Sequence, residues 1–485
     1  MTAQVPRVTL LAGGSALAAE SARSVSSVIV RAALGVPTAA EIAFAEPPAS
    51  LADDVAVGSE LTIRLGAATL FAGKVAALEM EHRGDSGRTL RCRAYDAMEA
   101  LRQKQRIRRF ENTSVSAVAA SLAGEVGLGA ASDRPGADLP AAVQRGESDL
   151  EFLTILAAAD GLYPIVEAET LRLATLEGAG PEIELRLGRE LEDVALAISA
   201  ERSVASAETL GWDPLSHQPL TADASRSAEP GSAAAILADR ILRNGDQSRG
   251  RAEAVAERGA AFERTAEGTA IGNPDIMPAR VLRIAGVDDA FSGRYVVTSA
   301  LHRLDAGGYR TEFSTRPPTV PVAKSGPVVT LGKVVAVDDP EGGGRTKVTL
   351  PGFADAEASW LQTVVAGAGK KKGVGILPEP GDDVLVVLPD GDLAHGFVLG
   401  GLYGTRTPPP GLRGRGERPF VIRTGAGQTL ELSGKGSTAR LSTRNGSLIE
   451  FSGDKGRLAV AGDLTIEAPG KRIVIRADSI DFERG

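Results

Sequence analysis

Apolar and polar positions alternate in short runs along most of this chain. Over residues 1–105 the runs "SSVIVRAAL", "EIAFAE", "ELTIRLG", "ATLFAGKVAALEMEH" and "RTLRCRAYDAMEAL" lie between Gly, Pro and Asp turns. That spacing predicts strands of a barrel or sandwich. The period then lengthens in "AYDAMEALRQKQRI", where Ala97, Leu101 and Met98 share one helical face. Residues 106–178 are mixed. "TSVSAVAASLAGEVGL" predicts a helix capped by Thr113 or Ser114 and ended by Gly127. In "GESDLEFLTILAAADGLYPIVEAETLRLATLEG", Ser148 or Asp149 caps a second helix. Its stripe is Leu150, Phe152, Leu153, Leu156 and Ala157, and Gly161 closes it before two strands.

Residues 179–322 return to strands around a long Ala- and charge-rich stretch, "SAAAILADRILRNGDQSRGRAEAVAERGAAFERTAEGTA". Its composition predicts helix, broken near Asn244 and Gly245. "ARVLRIAGV", "GRYVVTSALHRL" and "GGYRTEFSTR" then supply strands for a second small barrel. After the Pro-rich "STRPPTVPVAKSGP", residues 323–408 carry five strands in a compact span, the pattern of an OB-type barrel. Residues 409–416 read as a linker. Residues 417–485 are short strands in series, from "FVIRTG" to "SIDFERG".

This last series has one apolar face and little to cover it: Leu464 with Ile466, Ile473 with Ile475, Ile480 with Phe482. Alone it would leave strand edges unpaired. Three copies wound together would cover each other's apolar rows, which predicts an intertwined trimeric β-helix or prism. The alternative is a single-chain β-solenoid, which needs longer coils than these pieces offer.

Composition narrows the chemistry. The 485 residues suffice for roughly three or four domains. A net charge of -8 speaks against a general nucleic-acid binder. No apolar run approaches the ~20 residues of a membrane helix. The N-terminal "VTLLAGGSALAAES" imitates a signal peptide, but it lacks a strongly basic start and two glycines interrupt it. The expectation is assembly in the cytoplasm without a signal peptide. Cys92 is the single cysteine and cannot found a disulfide framework; between Leu90 and Ala94 it reads as a small strand residue. His82, His217, His302 and His395 form no local metal motif. "VAGAGKKKG" lacks the glycine spacing and the Ser/Thr of a phosphate loop, so Lys370–Lys372 read as a solvated loop. The pairs Asp338-Asp339 and Asp382-Asp383 sit at turns and strand starts, where aspartate is ordinary. No catalytic residue, cofactor or metal is expected.

With these residues in view, the chain resembles the VgrG-type spikes of contractile injection systems and the phage baseplate hub-and-spike proteins. "GESDLEFLTILAAADGLYPIVE" resembles the helix–strand signature of the hub. "IGNPDIMPARVLRIAGVDDAFSGRYVVTSALHRLDAGGYRTEFS" resembles the second hub barrel. "GKVVAVDDPEGGGRTKVTLPG" and "LPEPGDDVLVVLPDGDLAHGFVLGGLY" resemble the spike's OB domain. Its signature here is Trp360, Pro378, Glu379, Gly381, Asp382, Gly391, Asp392, Gly400, Gly401 and Tyr403. Leu150 and Leu388 stand where the family often has aromatic residues, and Leu393 and His395 lie near its usual Pro and Arg.

The resemblance implies a mainly β fold: two tube-like β-barrels with an α/β insertion, an OB-fold barrel and a trimeric spike. It further implies a homotrimer whose six barrels dock on a hexameric inner tube, with baseplate proteins around it. A PAAR-like tip protein would seat on Ile480, Phe482, Arg484 and Gly485. The particle would be released or fired from the cell toward a target membrane, without nucleic acid as a partner. A spike bearing a cell-wall hydrolase or effector is the first alternative. Only "RTPPPGLRGRG" separates the OB unit from the spike, and "DSIDFERG" follows the last strands directly, so no such domain is expected. An OB-fold nucleic-acid binder is the second; few aromatic residues and an acidic balance between Gly326 and Tyr403 oppose it.

Overall fold

The structure is a computed structural model. It describes residues 8–84, 87–213, 218–242, 244–321, 326–370, 372–391, 393, 395–408 and 419–483. The chain divides into two compact units, Met1–Gly401 and Leu402–Gly485.

The first unit is organised around an eleven-stranded sheet. Its alternating runs bury one side: Val28 and Val30 pair with Ile42 and Ala40, and Ile42 and Phe44 pair with Cys92 and Leu90. These residues join Leu61, Ile63 and Phe71 in one core. Cys92 is a packing residue there, and burial pushes its thiol up to about 12. Strands of residues 191–314 continue the same sheet. Ser299–Asp305 pairs antiparallel with Val25–Ala33, from Ser299 opposite Ala33 to Leu304 opposite Val28. The two β regions expected as successive barrels are thus hydrogen-bonded along a seam. Each keeps its own core, the second around Leu282, Ile284, Tyr295 and Phe313.

Between them lie the helices Val115–Gly124 and Asp149–Ala158. Ser114 Oγ accepts from Ala117 N at 3.2 Å, and Ser148 Oγ accepts from Glu151 N at 3.2 Å. These are N-caps that satisfy donors left free at a helix start. The stretch "AAAILADRI" departs from its expected helix. Ala233–Ile241 is a strand, parallel to Val204–Trp212. Cross-strand pairing outweighs the modest helix preference of alanine there. Helix begins only at Gly245, where Asn244 Oδ1 accepts from Gln247 N at 2.8 Å, and runs to Glu263.

Five strands close a barrel in the order Val328–Ala336, Thr346–Leu350, Ala356–Thr363, Phe397–Leu402, Asp383–Leu388. Val334, Val348, Leu350, Leu361, Val384, Val386 and Val398 fill it. The second unit is a five-stranded antiparallel meander: Phe420–Arg423, Thr429–Ser433, Thr438–Ser442, Leu448–Ser452 and Lys455–Ala459. The strands expected further on, over "DLTIEAPG", "KRIVIRAD" and "SIDFERG", do not form among the described residues. A strand needs a partner for its backbone groups, and among the described residues these segments have no partner strand. The expected linker, residues 409–416, lies outside the described residues.

Candidate assembly surfaces

The meander separates its faces cleanly. Phe420, Leu432, Ala439, Phe451 and Gly456 stand opposite one another across the five strands, and so do Ile422, Leu430, Leu441, Ile449 and Leu458. Directly opposed residues share a face, so one side carries ten apolar or small positions. The other side carries the charge ladder Glu431, Arg440, Glu450 and Arg457, with Arg440 and Glu450 3.7 Å apart. Phe420, Leu441, Phe451 and Leu458 are between 50% and 61% exposed. Among the described residues, no buried apolar cluster includes a residue of this unit. The rows foreseen as spike core lie beyond the meander, outside any strand. Leu464, Ile466, Ile473, Ile475 and Ile480 are all exposed, and Phe482 is 94% exposed. Of the foreseen tip seat, Ile480 and Phe482 lie here, while Arg484 and Gly485 lie outside the described residues.

The OB signature takes up defined positions. Pro380 and Gly381 are the central residues of a turn from Glu379 to Asp382, closed by Asp382 N donating to Glu379 O at 3.0 Å. Gly381 has φ +91°, so the turn is type II, with proline and glycine where that turn demands them. Asp382 accepts from Glu379 N at 2.9 Å. Gly381 N donates to Val334 O, and Val334 N to Asp382 O, each at 2.9 Å, so the turn is stitched to a barrel strand. Pro378 is half-buried and Glu379 exposed. Trp360 is half-buried opposite Lys347. Gly391 sits in a short helical turn at φ +68°. Gly400 and Gly401 belong to the strand Phe397–Leu402, Tyr403 follows it exposed, and Asp392 lies outside the described residues.

One feature of the barrel escaped the sequence. Asp339 accepts from Glu341 N at 3.1 Å and Gly343 N at 2.9 Å, and from Arg345 Nε at 2.9 Å and Nη2 at 2.6 Å. It closes the loop between the first two barrel strands. The Arg345 guanidinium and the loop amides hold its carboxyl well below the usual range. Asp338 beside it is exposed. A sequence shows the acidic pair but not which member the turn bends inward.

The histidines are scattered: His302 and His395 are buried, His82 lies on the strand Ala68–Arg83, and His217 lies outside the described residues. Among the described residues no cluster of His, Cys, Asp or Glu is arranged to hold a metal, and no helix is long and apolar enough to cross a membrane. Lys370 and Lys372 are exposed; Lys371 lies outside the described residues.

Comparisons with known proteins agree with this geometry. The family model for the type VI secretion system/phage-baseplate injector OB domain matches residues 330–403. No curated protein matches the chain. A Francisella PdpA–VgrG complex in a half-lidded state matches with a TM-score of 0.54 at 9% identity, covering 94% of this chain and 88% of that one. An E. coli type VI secretion component, itself similar in structure to the T4 tail proteins gp27 and gp5, matches with a TM-score of 0.51 at 14% identity, covering 78% and 96%. A 43 kDa tail protein of prophage MuSo2 from Shewanella oneidensis matches with a TM-score of 0.50 at 15% identity, covering 63% and 97%. At such identities these likenesses show a shared fold. The model for the phage tail baseplate hub (GPD) matches residues 31–308, more than half of the 485, and the chain belongs to that family.

Proposed function

We propose that this protein is the central hub and spike of a contractile injection particle, working as a homotrimer and by mechanical rather than chemical means. The observation that carries the reading is the one-sided apolar sheet of residues 420–458. Ten positions of one sign of polarity, across five strands, form a surface suited to burial against identical neighbours. A threefold axis lets each copy cover the next, and in this reading the alternating apolar residues from Leu464 to Phe482 are covered in the same way.

In this reading the large sheet of the first unit faces a hexameric inner tube. Each of three chains contributes two related β regions, which gives six contacts around the axis. Baseplate proteins surround this hub. The end around Ile480 and Phe482 is the seat for a small PAAR-like tip protein, and contraction drives the assembly through a target membrane. The domains follow as 1–105 and 179–322 for the two hub regions, 106–178 for the insertion, 323–408 for the OB barrel, 409–416 for the linker and 417–485 for the spike. The particle is assembled in the cytoplasm. The test is the solution mass of the full chain by sedimentation or light scattering. Three copies of 50.0 kDa are expected. A monomer at micromolar concentration would remove the apolar sheet as a self-association surface, and the spike reading with it.

A further inference from the structure

The OB barrel belongs to the same compact unit as the large sheet, and two separate elements reach it. The first is the antiparallel hairpin of Gln105–Ser114 and Asp138–Ser148. Val143 from this hairpin packs against the barrel's own core. Arg109, directly opposite Val143, donates from Nη1 to the Glu357 carbonyl at 3.4 Å. Arg145 lays its guanidinium over Gly391, in the place where a Cβ would stand. The second element is the strand Val204–Trp212, whose Trp212 ring stacks on Phe397 with centroids 6.3 Å apart and planes 21° from parallel. A single contact between two bodies acts as a hinge. Contacts from two independent elements remove the rotation that one of them alone would allow.

We propose that the 105–148 hairpin and Trp212 form a socket that fixes the orientation of the barrel on the hub, and that Gly391 is kept bare to seat Arg145. This gives Gly391 a role apart from its backbone conformation. The two roles are separable by chemistry. At φ +68° the backbone is left-handed, a region that asparagine enters more readily than other side-chain-bearing residues. Asparagine at 391 therefore keeps the turn but displaces the guanidinium. The socket also explains why a residue of the hub insertion enters the core of a barrel that begins almost two hundred positions later. The partner of this surface lies within the same chain, and, on the proposed reading of the chain as a hub and spike, the surface serves as a joint that passes load from the hub to the barrel.

The experiment is a double-mutant cycle on the full chain with Gly391→Asn and Arg145→Ala, read by limited proteolysis between hub and barrel and by calorimetry. Each single variant is expected to raise the cleavage rate several-fold, up to about tenfold, and to loosen the joint melting of hub and barrel. The double variant is expected to be no worse than the poorer single one, because both changes remove one contact. Trp212→Ala, at the other anchor, should add its own increase to either. Gly391→Asn indistinguishable from the parent protein would overturn the proposal, and so would full additivity with Arg145→Ala. Should Gly391→Asn unfold the barrel outright, Arg145→Ala and Trp212→Ala decide the matter. Unchanged cleavage in both would show that there is no socket.

Discussion

His302 has no solvent exposure, and its Nδ1 lies 2.9 Å from the Tyr309 hydroxyl and 3.2 Å from Thr311 Oγ1. Both hydroxyls can donate to that nitrogen only while it is unprotonated. Burial disfavours the imidazolium and depresses the pKa to about 4, against a weaker opposing backbone contact with Ile276. The unfolded chain takes up this proton near pH 6.5 and the folded one near 4, so the unfolded state binds more protons between those values. Stability is therefore whole above about pH 6.5 and falls as pH drops toward 4, by about 3 kcal/mol for this group alone. His302 lies on the seam strand opposite Val30, so the loss weakens the join between the two β regions. Denaturant titrations of the first unit's transition in the full chain at pH 5 and pH 7.5 test this. His302→Gln is expected to cost stability at pH 7.5 and to shrink the difference between the two pH values. An unchanged pH difference would show that the seam's acid response lies elsewhere.

Elements were legible in proportion to how local their causes are. The caps act within a few residues; Ser114 and Ser148, each one of two candidates, are the residues that cap, and the turn glycines Gly127 and Gly161 take positive φ just beyond the helix ends. The strand Ala233–Ile241 was not legible, since its partner Val204–Trp212 is decided by the sheet rather than by alanine's preference. The loop after Val328–Ala336 is intermediate. "DDPEGGGRT" reads as a turn, yet the lock between Asp339 and Arg345 emerges only once the turn is folded. That lock carries its own pH signature. The Asp339 carboxyl is depressed in the folded state, so its contribution is present above the unfolded value of about 4 and is lost as pH falls below it. Asp339→Asn should therefore lower the stability of the OB barrel more at pH 7 than at pH 3. Hydrogen exchange of the amides at Glu341 and Gly343 reads this directly, because both donate to Asp339. Equal protection in the variant and the parent at pH 7 would assign the loop's order to the backbone alone.

At the scale of the whole molecule, the two units differ in how they are held. The first has closed cores around Phe44, Leu153, Phe313 and Val386. The second has its apolar residues on one side of a sheet, largely exposed. Burying apolar surface stabilises by about 25 cal/mol per Å², so, on the proposed homotrimer, covering this face would supply most of the second unit's stability. Leu441 lies on the middle strand of that face, between Leu430 and Ile449. Leu441→Lys would place an ammonium among apolar neighbours in any assembly that covers the face, while a free sheet tolerates it as one more exposed lysine. The expected result is a loss of the trimer at concentrations where the parent chain holds it, with the melting of the first unit unchanged. On the proposed reading, in which the tip seats on Ile480 and Phe482, removal of residues 479–485 is expected to do the reverse: it leaves the trimer intact and abolishes capture of a tip protein, since those residues lie beyond the last strand of the sheet. Sedimentation of both variants beside the parent separates the two surfaces. A Leu441→Lys chain that stays trimeric would move the association surface to the first unit. A truncated chain that still binds its tip would move the seat back toward the meander.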